Sequence, residues 1–179
     1  VIPEQKLRAE RFRNVNFLAV WHTENNSIVQ LGDEITENVN RIKGDKHAAG
    51  TDNTPYEFSG LFGRNYVDMY VIDVSTGEKT KIKEKIQYNY GASSGGKYIL
   101  YLEDDDFWTY DIQNEKHTNI TSNVRADFIN KEYDHPVDQK PSFGYAGWTK
   151  DDYSVLLYDK YDIWDIPMNG GEPARLTDG

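Results

Sequence analysis

Four segments of the chain share one pattern of apolar and polar positions. Each begins with alternating apolar residues, passes through a polar turn and closes on Ile or Leu; they are residues 18–31, 69–82, 107–120 and 163–176. Alternation with a period of two residues is typical of a β-strand with one buried face. The residues at the centre of each segment favour tight turns. Each segment therefore predicts a β-hairpin.

Two of the hairpins are preceded by a further apolar run, at residues 98–102 and 154–158. Turn-like residues lead into these runs at 93–97 and 149–153. The repeating unit is thus a turn, a strand, a short link, a strand, a turn and a strand. This order gives most of a four-stranded antiparallel blade, and radially arranged blades form a β-propeller.

The spacing of the segments sets the expected architecture. The distance from the start of the second segment to the start of the third fits a bare blade of about 40 residues. The distances from the first segment to the second and from the third to the fourth are longer and need insertions. We expect these insertions at residues 32–46 and 122–147, which are polar and loop-like. A β-sandwich also has closely spaced strands, but it does not require the same phrase four times. The prediction is an all-β, partial β-propeller of about three to four four-stranded antiparallel blades, forming one domain over residues 1–179.

Closed propellers usually have about four to eight blades, so we expect the chain to be a piece of a longer protein. A partial propeller leaves an uncovered sheet face at each end, here near the first hairpin and near Trp164, and predicts self-association. Six apolar residues should occupy equivalent positions in the blades: Tyr70, Ile72, Trp108, Tyr110, Trp164 and Ile166.

Composition narrows the function classes. The chain has 179 residues, with 20 basic against 30 acidic side chains and a net charge of −10, which argues against nucleic-acid binding. Its apolar runs are too short to span a membrane. The chain has no Cys, which excludes disulfides and thiolate metal sites. Good helix formers at residues 4–13 predict a short helix.

The chain resembles the propeller region of the prolyl oligopeptidase family, which includes dipeptidyl peptidase IV and related serine peptidases. It is most similar to large bacterial members of the kind common in Bacteroidetes. Four phrases carry the resemblance: TDNTPYE at 51–57, and the segments 66–85, 95–111 and 146–166. The strand-turn-strand phrases are shared with TolB-like propellers, whereas TDNTPY and AGWTKDD, with YDKYDIW following, are more specific to the peptidases.

The resemblance implies a periplasmic or secreted two-part enzyme. In this family the propeller restricts access to a C-terminal α/β-hydrolase domain and helps to position the peptide substrate. Nothing in this chain matches the hydrolase domain or the glutamates that bind the peptide N-terminus in dipeptidyl peptidases. The chain alone is therefore expected to be non-catalytic and to need no cofactor. The alternative is a stand-alone TolB-like module that binds other proteins.

Residues 91–95 spell G-x-S-x-G, the motif that places a catalytic serine on a strand-to-helix turn in hydrolases. Here a strand-like segment follows at residues 98–102, and the motif coincides with the turn of the repeat. We therefore interpret Ser93 as a structural residue and predict no catalytic residue in the chain.

The acidic run at residues 103–106 is interpreted as a solvated turn rather than as a calcium site, because neighbouring strand residues point to opposite sides. Asp106 matches Asp68 and Asp162, which also directly precede a repeated segment, and all three are expected to brace the link between two strands. The four histidines lack metal-ligand spacing and are interpreted as surface residues.

The insertion at residues 122–147 is the candidate functional segment. Aromatic residues in a long loop often contact a partner or ligand. The candidates are Arg125, Phe128, Tyr133, His135, Phe143 and Tyr145. Two interpretations stay open: these side chains anchor the loop to its own blade, or they contact the hydrolase domain or a peptide.

Overall fold

The computed structural model describes residues 16–179, which fold almost entirely into antiparallel β-sheet. The helix predicted at residues 4–13 lies outside this range. Over the described residues, no helix is long and apolar enough to cross a membrane. The all-β prediction is confirmed: three sheets have four strands each, and a two-stranded hairpin precedes them.

Within each sheet the strands follow one another in chain order. The first sheet pairs β1 (Ala19–His22) with β2 (Ser27–Gln30). The second contains β3 (Asn38–Arg41), β4 (His47–Asp52), β5 (Val67–Asp73) and β6 (Lys79–Ile86). The third contains β7 (Tyr88–Ala92), β8 (Tyr98–Glu103), β9 (Asp106–Asp111) and β10 (Lys116–Asn119). The fourth contains β11 (Tyr145–Trp148), β12 (Ser154–Tyr158), β13 (Ile163–Pro167) and β14 (Ala174–Arg175).

All four repeated segments form hairpins with one common register. The second residue of each segment pairs with the thirteenth in the pairs Ala19–Gln30, Tyr70–Lys81, Trp108–Asn119 and Trp164–Arg175. A shared register places residues at matching positions on matching faces of successive sheets. The predicted equivalence of Trp108 and Trp164 is therefore confirmed.

The core lies between neighbouring sheets, which pack face to face. On β8, Ile99 and Tyr101 pack against the second sheet, whereas Leu100 and Leu102 pack against the fourth. This alternation follows from the two-residue period of a strand. A third cluster, centred on Leu31, joins the first hairpin to the second sheet. Each inner sheet is therefore apolar on both faces, as expected for propeller blades.

The structure corrects the position of the first insertion. Residues 32–46 contain β3, the first strand of the second sheet, instead of an extra loop. The added residues are 53–66, between β4 and β5, where a 3₁₀ helix (Thr54–Tyr56) leads into the helical turn α1 (Glu57–Gly60). The second insertion is confirmed between β10 and β11, although β11 already begins at Tyr145.

The aspartates that precede the repeated segments brace the third strand of each sheet against the end of the fourth. Asp106 accepts hydrogen bonds from Asn119 Nδ2 (2.9 Å) and Thr121 Oγ1 (2.8 Å). Asp162 accepts one from Thr177 Oγ1 at 2.8 Å. The bracing prediction is confirmed. The partners of Asp106 and Asp162 follow the hairpin, whereas Asp68 also accepts a hydrogen bond from the Tyr56 hydroxyl, in the link that precedes its hairpin.

Candidate functional site

Two long links leave the sheets at the same end. Residues 53–66 follow a second strand and residues 120–144 follow a fourth strand, and even-numbered strands of these meandering sheets run in the same direction. The short β12–β13 link, residues 159–162, also lies at this end. We call these three segments the insert face. The strand-to-strand turns at 42–46, 93–97 and 149–153 lie at the opposite end.

Asp138 joins the two long links. Its carboxylate accepts a hydrogen bond from the Tyr66 hydroxyl and lies 3.4 Å from Arg64 Nε. Burial, together with the hydrogen bond to Asp138 and its charge, raises the pKa of Tyr66 to about 12, so this hydroxyl stays protonated and donates at neutral pH. Tyr88 donates a further bond to the Gln139 carbonyl at 3.3 Å. The links therefore form one connected surface.

The link at residues 53–66 exposes an apolar ridge formed by Phe58, Leu61 and Phe62. These side chains are 75%, 71% and 69% exposed. The two phenylalanine rings meet edge to face, with centroids 5.4 Å apart. Neighbouring large apolar side chains that remain exposed on a folded sheet scaffold are typical of an interaction surface.

The structure separates the six candidate residues into different roles. Phe128 is buried between the third and fourth sheets, with its ring centroid 6.2 Å from that of Phe107 and 6.4 Å from that of Trp164. Tyr145, at the start of β11, packs edge to face on Tyr90. These two candidates fit the anchoring interpretation. The set as a whole does not converge on one point.

The other four candidates lie outside the core: Arg125 and His135 are exposed, and Tyr133 and Phe143 are half-buried. Tyr133 and His135 stack on each other with centroids 4.9 Å apart. Arg125 and Phe143 line a cavity of about 380 Å³ between the long link and residues 159–161. A contact role for these four residues stays a prediction.

The cavity is lined by small, aromatic and charged side chains. Its lining residues are Arg125, Ala126, Asp127, Lys131, Glu132, Phe143, Asp159, Lys160 and Tyr161. Two ion pairs cross this lining: Lys131 Nζ lies 2.6 Å from Asp127 Oδ2, and Lys160 Nζ lies 2.5 Å from Glu132 Oε1.

Asp159 holds the β12–β13 link in shape. Its carboxylate accepts hydrogen bonds from the N–H groups of Tyr161 (2.8 Å) and Asp162 (2.6 Å) and from the Trp164 indole (2.7 Å). Burial acts to raise the pKa of Asp159, but these hydrogen bonds outweigh it and hold the pKa below its usual value. The carboxylate is therefore ionised at neutral pH, with both oxygens already bonded.

Ser93 lies at the opposite end, in the β7–β8 turn, and it is buried. Its hydroxyl donates to Asp152 at 2.6 Å and accepts hydrogen bonds from the N–H groups of Lys97 (3.1 Å) and Tyr98 (3.0 Å). Asp152, from the fourth sheet, also accepts from the Gly95 N–H at 2.6 Å. These bonds clamp the third sheet to the fourth and account for the serine without a catalytic role.

Three of the four histidines differ from the surface interpretation, because His22, His47 and His117 are partly buried. His117 is partly buried, its Nδ1 lies 2.8 Å from the Tyr101 hydroxyl, and burial lowers its pKa. His22 is also partly covered, with Nε2 3.1 Å from the Val74 carbonyl. Within residues 16–179, no group of three or more His or acidic side chains is placed to hold a metal ion.

The sequence analysis missed the ridge and the residues at 159–161. The signal for the ridge is the phrase EFSGLF at residues 57–62, where three large apolar residues fall in a segment with no strand alternation. The signal for Lys160 and Tyr161 is weaker, because only the tertiary structure brings their short link beside residues 125–132.

Comparison with known proteins gives the fold. No known protein family matches the chain by sequence, and no curated protein matches it. A solved structure assigned as TolB from Agrobacterium tumefaciens superposes with a TM-score of 0.50 at 15% identity. The match covers 86% of this chain and 52% of that one, so this chain spans about half the length of that structure. At this identity the likeness shows a shared propeller-type fold alone.

Proposed function

We propose that this chain is a propeller module that binds another protein segment on its insert face. The observation that carries the proposal is the exposed ridge of Phe58, Leu61 and Phe62. Because exposed apolar area is stabilised when water is removed from it, a partner that covers the ridge gains binding energy.

The architecture suits such a role. Binding residues commonly lie on loops held by a rigid scaffold, and both long links extend from one end of the packed sheets. The bonds of Tyr66 and Arg64 to Asp138 fix one link against the other. A surface fixed before binding loses less conformational entropy when the partner arrives.

A finer proposal follows from the sequence resemblance. In it, the parent protein is a periplasmic or secreted serine peptidase of the prolyl oligopeptidase family, and the insert face contacts its α/β-hydrolase domain or a peptide substrate. This proposal is supported by the position of the peptidase-like phrase at residues 51–57, which overlaps the start of the link that carries the ridge. The alternative is a stand-alone TolB-like module, for which the similarity of fold is the support.

Site-specific photocrosslinking tests the proposal. In one variant, expressed in the native organism, a photoreactive phenylalanine analogue replaces Phe62. In a second variant the analogue replaces Lys43, in a turn at the opposite end of the sheets. Mass spectrometry identifies the crosslinked segment. Affinity for that segment is then measured with purified components, using the intact chain and a variant with Ser at positions 58, 61 and 62.

We expect crosslinks from position 62 well above those from position 43, and affinity reduced about tenfold or more by the serine variant. A crosslink to a hydrolase segment of the same polypeptide supports the peptidase. A crosslink to a separate protein supports the TolB-like module. Equal crosslinking from both positions, or unchanged affinity of the serine variant, would refute binding on the insert face.

A further inference from the structure

The cavity beside Arg125 has an unusual charge arrangement. Of its three acidic lining residues, Asp127 and Glu132 are paired with lysines, and Asp159 is bonded within its own link. Arg125 lines the same cavity, is exposed, and makes no ion pair with any side chain in residues 16–179. One cation therefore remains available where every neighbouring anion is already engaged.

The remaining lining supplies apolar and aromatic contact. Phe143 is half-buried and held by the bond from its N–H to the Phe128 carbonyl at 2.9 Å. Ala126 also lines the cavity, and the Tyr161 ring centroid lies 5.5 Å from Lys160 Nζ. Phe143 and Tyr161 are thus each held by a contact within the chain.

We propose that this cavity binds a peptide carboxylate, with Arg125 as the anion-binding residue and Phe143 and Tyr161 as the contacts for the adjoining apolar groups. The proposal rests on the proposed function and names the chemistry of the bound segment. Arginine suits this role because its planar guanidinium donates two parallel hydrogen bonds to a carboxylate.

Size and charge both favour a single carboxylate. A volume of about 380 Å³ is near the lower end of ligand pockets and accommodates the end or one side chain of a peptide rather than a folded surface. The three acidic groups of the lining balance its three cations, so a dianionic phosphate would meet more repulsion than a monoanionic carboxylate. The carboxylate can be a peptide C-terminus or an acidic side chain.

Fluorescence anisotropy with three labelled peptides separates these sources. The first is Gly-Ser-Gly-Ala-Leu with a free C-terminus, the second is the same peptide amidated, and the third is amidated with Glu in place of its Ala. The protein variants are Arg125→Gln, Arg125→Lys and Arg41→Gln. The last is the matched control, because Arg41 is an exposed arginine at the opposite end of the sheets.

We expect the free-carboxylate peptide or the Glu peptide, or both, to bind at least about tenfold more tightly than the amidated peptide. Arg125→Gln removes this preference, Arg125→Lys restores part of it, and Arg41→Gln leaves it unchanged. Added salt weakens the binding because the contact is ionic.

The proposal is overturned if the amidated peptide binds as well as the other two, if none of the three binds, or if Arg125→Gln and Arg41→Gln behave alike. Such a result leaves the crosslinking result at Phe62 intact, so failure of the cavity and failure of the insert face remain distinguishable.

Discussion

Asp152 and Ser93 show how single buried polar residues join neighbouring sheets. Asp152 is 2% exposed and receives its hydrogen bonds from the β7–β8 turn of the preceding sheet. A buried carboxylate is stable only when such donors replace water. The G-x-S-x-G pattern could be assigned to a turn from the sequence, but the partner across the sheets could not, because 59 residues separate it from Ser93.

Replacement of Asp152 by Asn should destabilise the fold by about 2–3 kcal/mol. The hydrogen bonds to its charged carboxylate from the Ser93 hydroxyl, the Gly95 N–H and the Lys97 N–H (3.1 Å) are then weakened. Asp151→Asn is the matched control: it is exposed and shares the left-handed backbone, with φ of 58° against 56° for Asp152. Its effect should stay within about 0.5 kcal/mol. Urea unfolding gives both values, and equal destabilisation by the two variants would refute the clamp.

At the scale of the strands, one hydrogen-bonding arrangement of a threonine and an aspartate recurs at the end of two hairpins. Thr121 donates to Asp106 and accepts from the Phe107 N–H at 2.9 Å, and Thr177 donates to Asp162 and accepts from the Ile163 N–H at 2.9 Å. The aspartates are visible in the sequence as a repeated residue. The threonines are harder to find, since their role depends on the register that brings them back to the start of the third strand.

Thr121→Val should cost about 1–2 kcal/mol, because the buried Phe107 N–H loses its acceptor and Asp106 loses a donor. Thr118→Val is the control, since Thr118 is exposed and lies on β10, three residues before Thr121. Denaturant unfolding of both variants gives the comparison. A Thr118 variant that loses as much stability as the Thr121 variant would contradict this account of the hairpin end.

Asp68, at the start of the third strand of the second sheet, makes the stability of the fold depend on pH. Burial acts to raise its pKa, but hydrogen bonds from Lys81 (2.8 Å), Tyr56 (2.6 Å) and the Lys85 N–H (3.0 Å) outweigh burial and lower it. Because the folded pKa is below the unfolded value of about 3.9, the stabilisation is complete above that pH and is lost as the pH falls through the folded pKa.

The melting temperature should therefore fall below about pH 4, and Asp68→Asn should reduce the slope of this fall while lowering stability at pH 7. Glu84 is a second carboxylate that contacts Lys81, so Glu84→Gln is measured in parallel. Differential scanning calorimetry from pH 2 to pH 7 provides the check. An Asp68→Asn chain with the acid dependence of the unmodified chain would contradict the assignment.

At the scale of the strands, the pattern of apolar and polar residues predicts the hairpins better than it predicts where the insertions lie. The hairpins were predictable because alternation, turn residues and repetition all agree. β3 was missed because its sequence is polar and only Val39 among its four residues is half-buried. Phe128 was expected among the candidate contact residues, yet it is a core residue, since burial of one loop aromatic depends on the neighbouring sheets.

At the scale of the molecule, the first hairpin presents an uncovered face. Trp21 and Ile28 form a cross-strand pair and are 63% and 74% exposed, on the side away from the second sheet. The uncovered face that was expected near Trp164 is not formed by this residue, because Trp164 packs on Phe128 toward the third sheet. The expected self-association therefore depends chiefly on the first hairpin at that end of the array.

We propose that the isolated chain self-associates through this face at micromolar concentration, because association buries exposed apolar side chains away from water. Replacement of Trp21 and Ile28 by Ser should shift sedimentation to the monomer. Replacement of Phe58 and Phe62 by Ser is the control for a general loss of apolar surface, and should leave the association unchanged. A cooperatively folded 20.7 kDa monomer of the unmodified chain would rule the proposal out.

The central claim is that residues 53–66 and 120–144 act together as one binding surface. Hydrogen exchange of the chain, alone and with the segment identified by crosslinking, tests it most directly, because exchange reports on each backbone segment separately. The account predicts slower exchange in both links on binding and no change in the turns at 42–46, 93–97 and 149–153. Protection of those turns, with the two links unaffected, would contradict it.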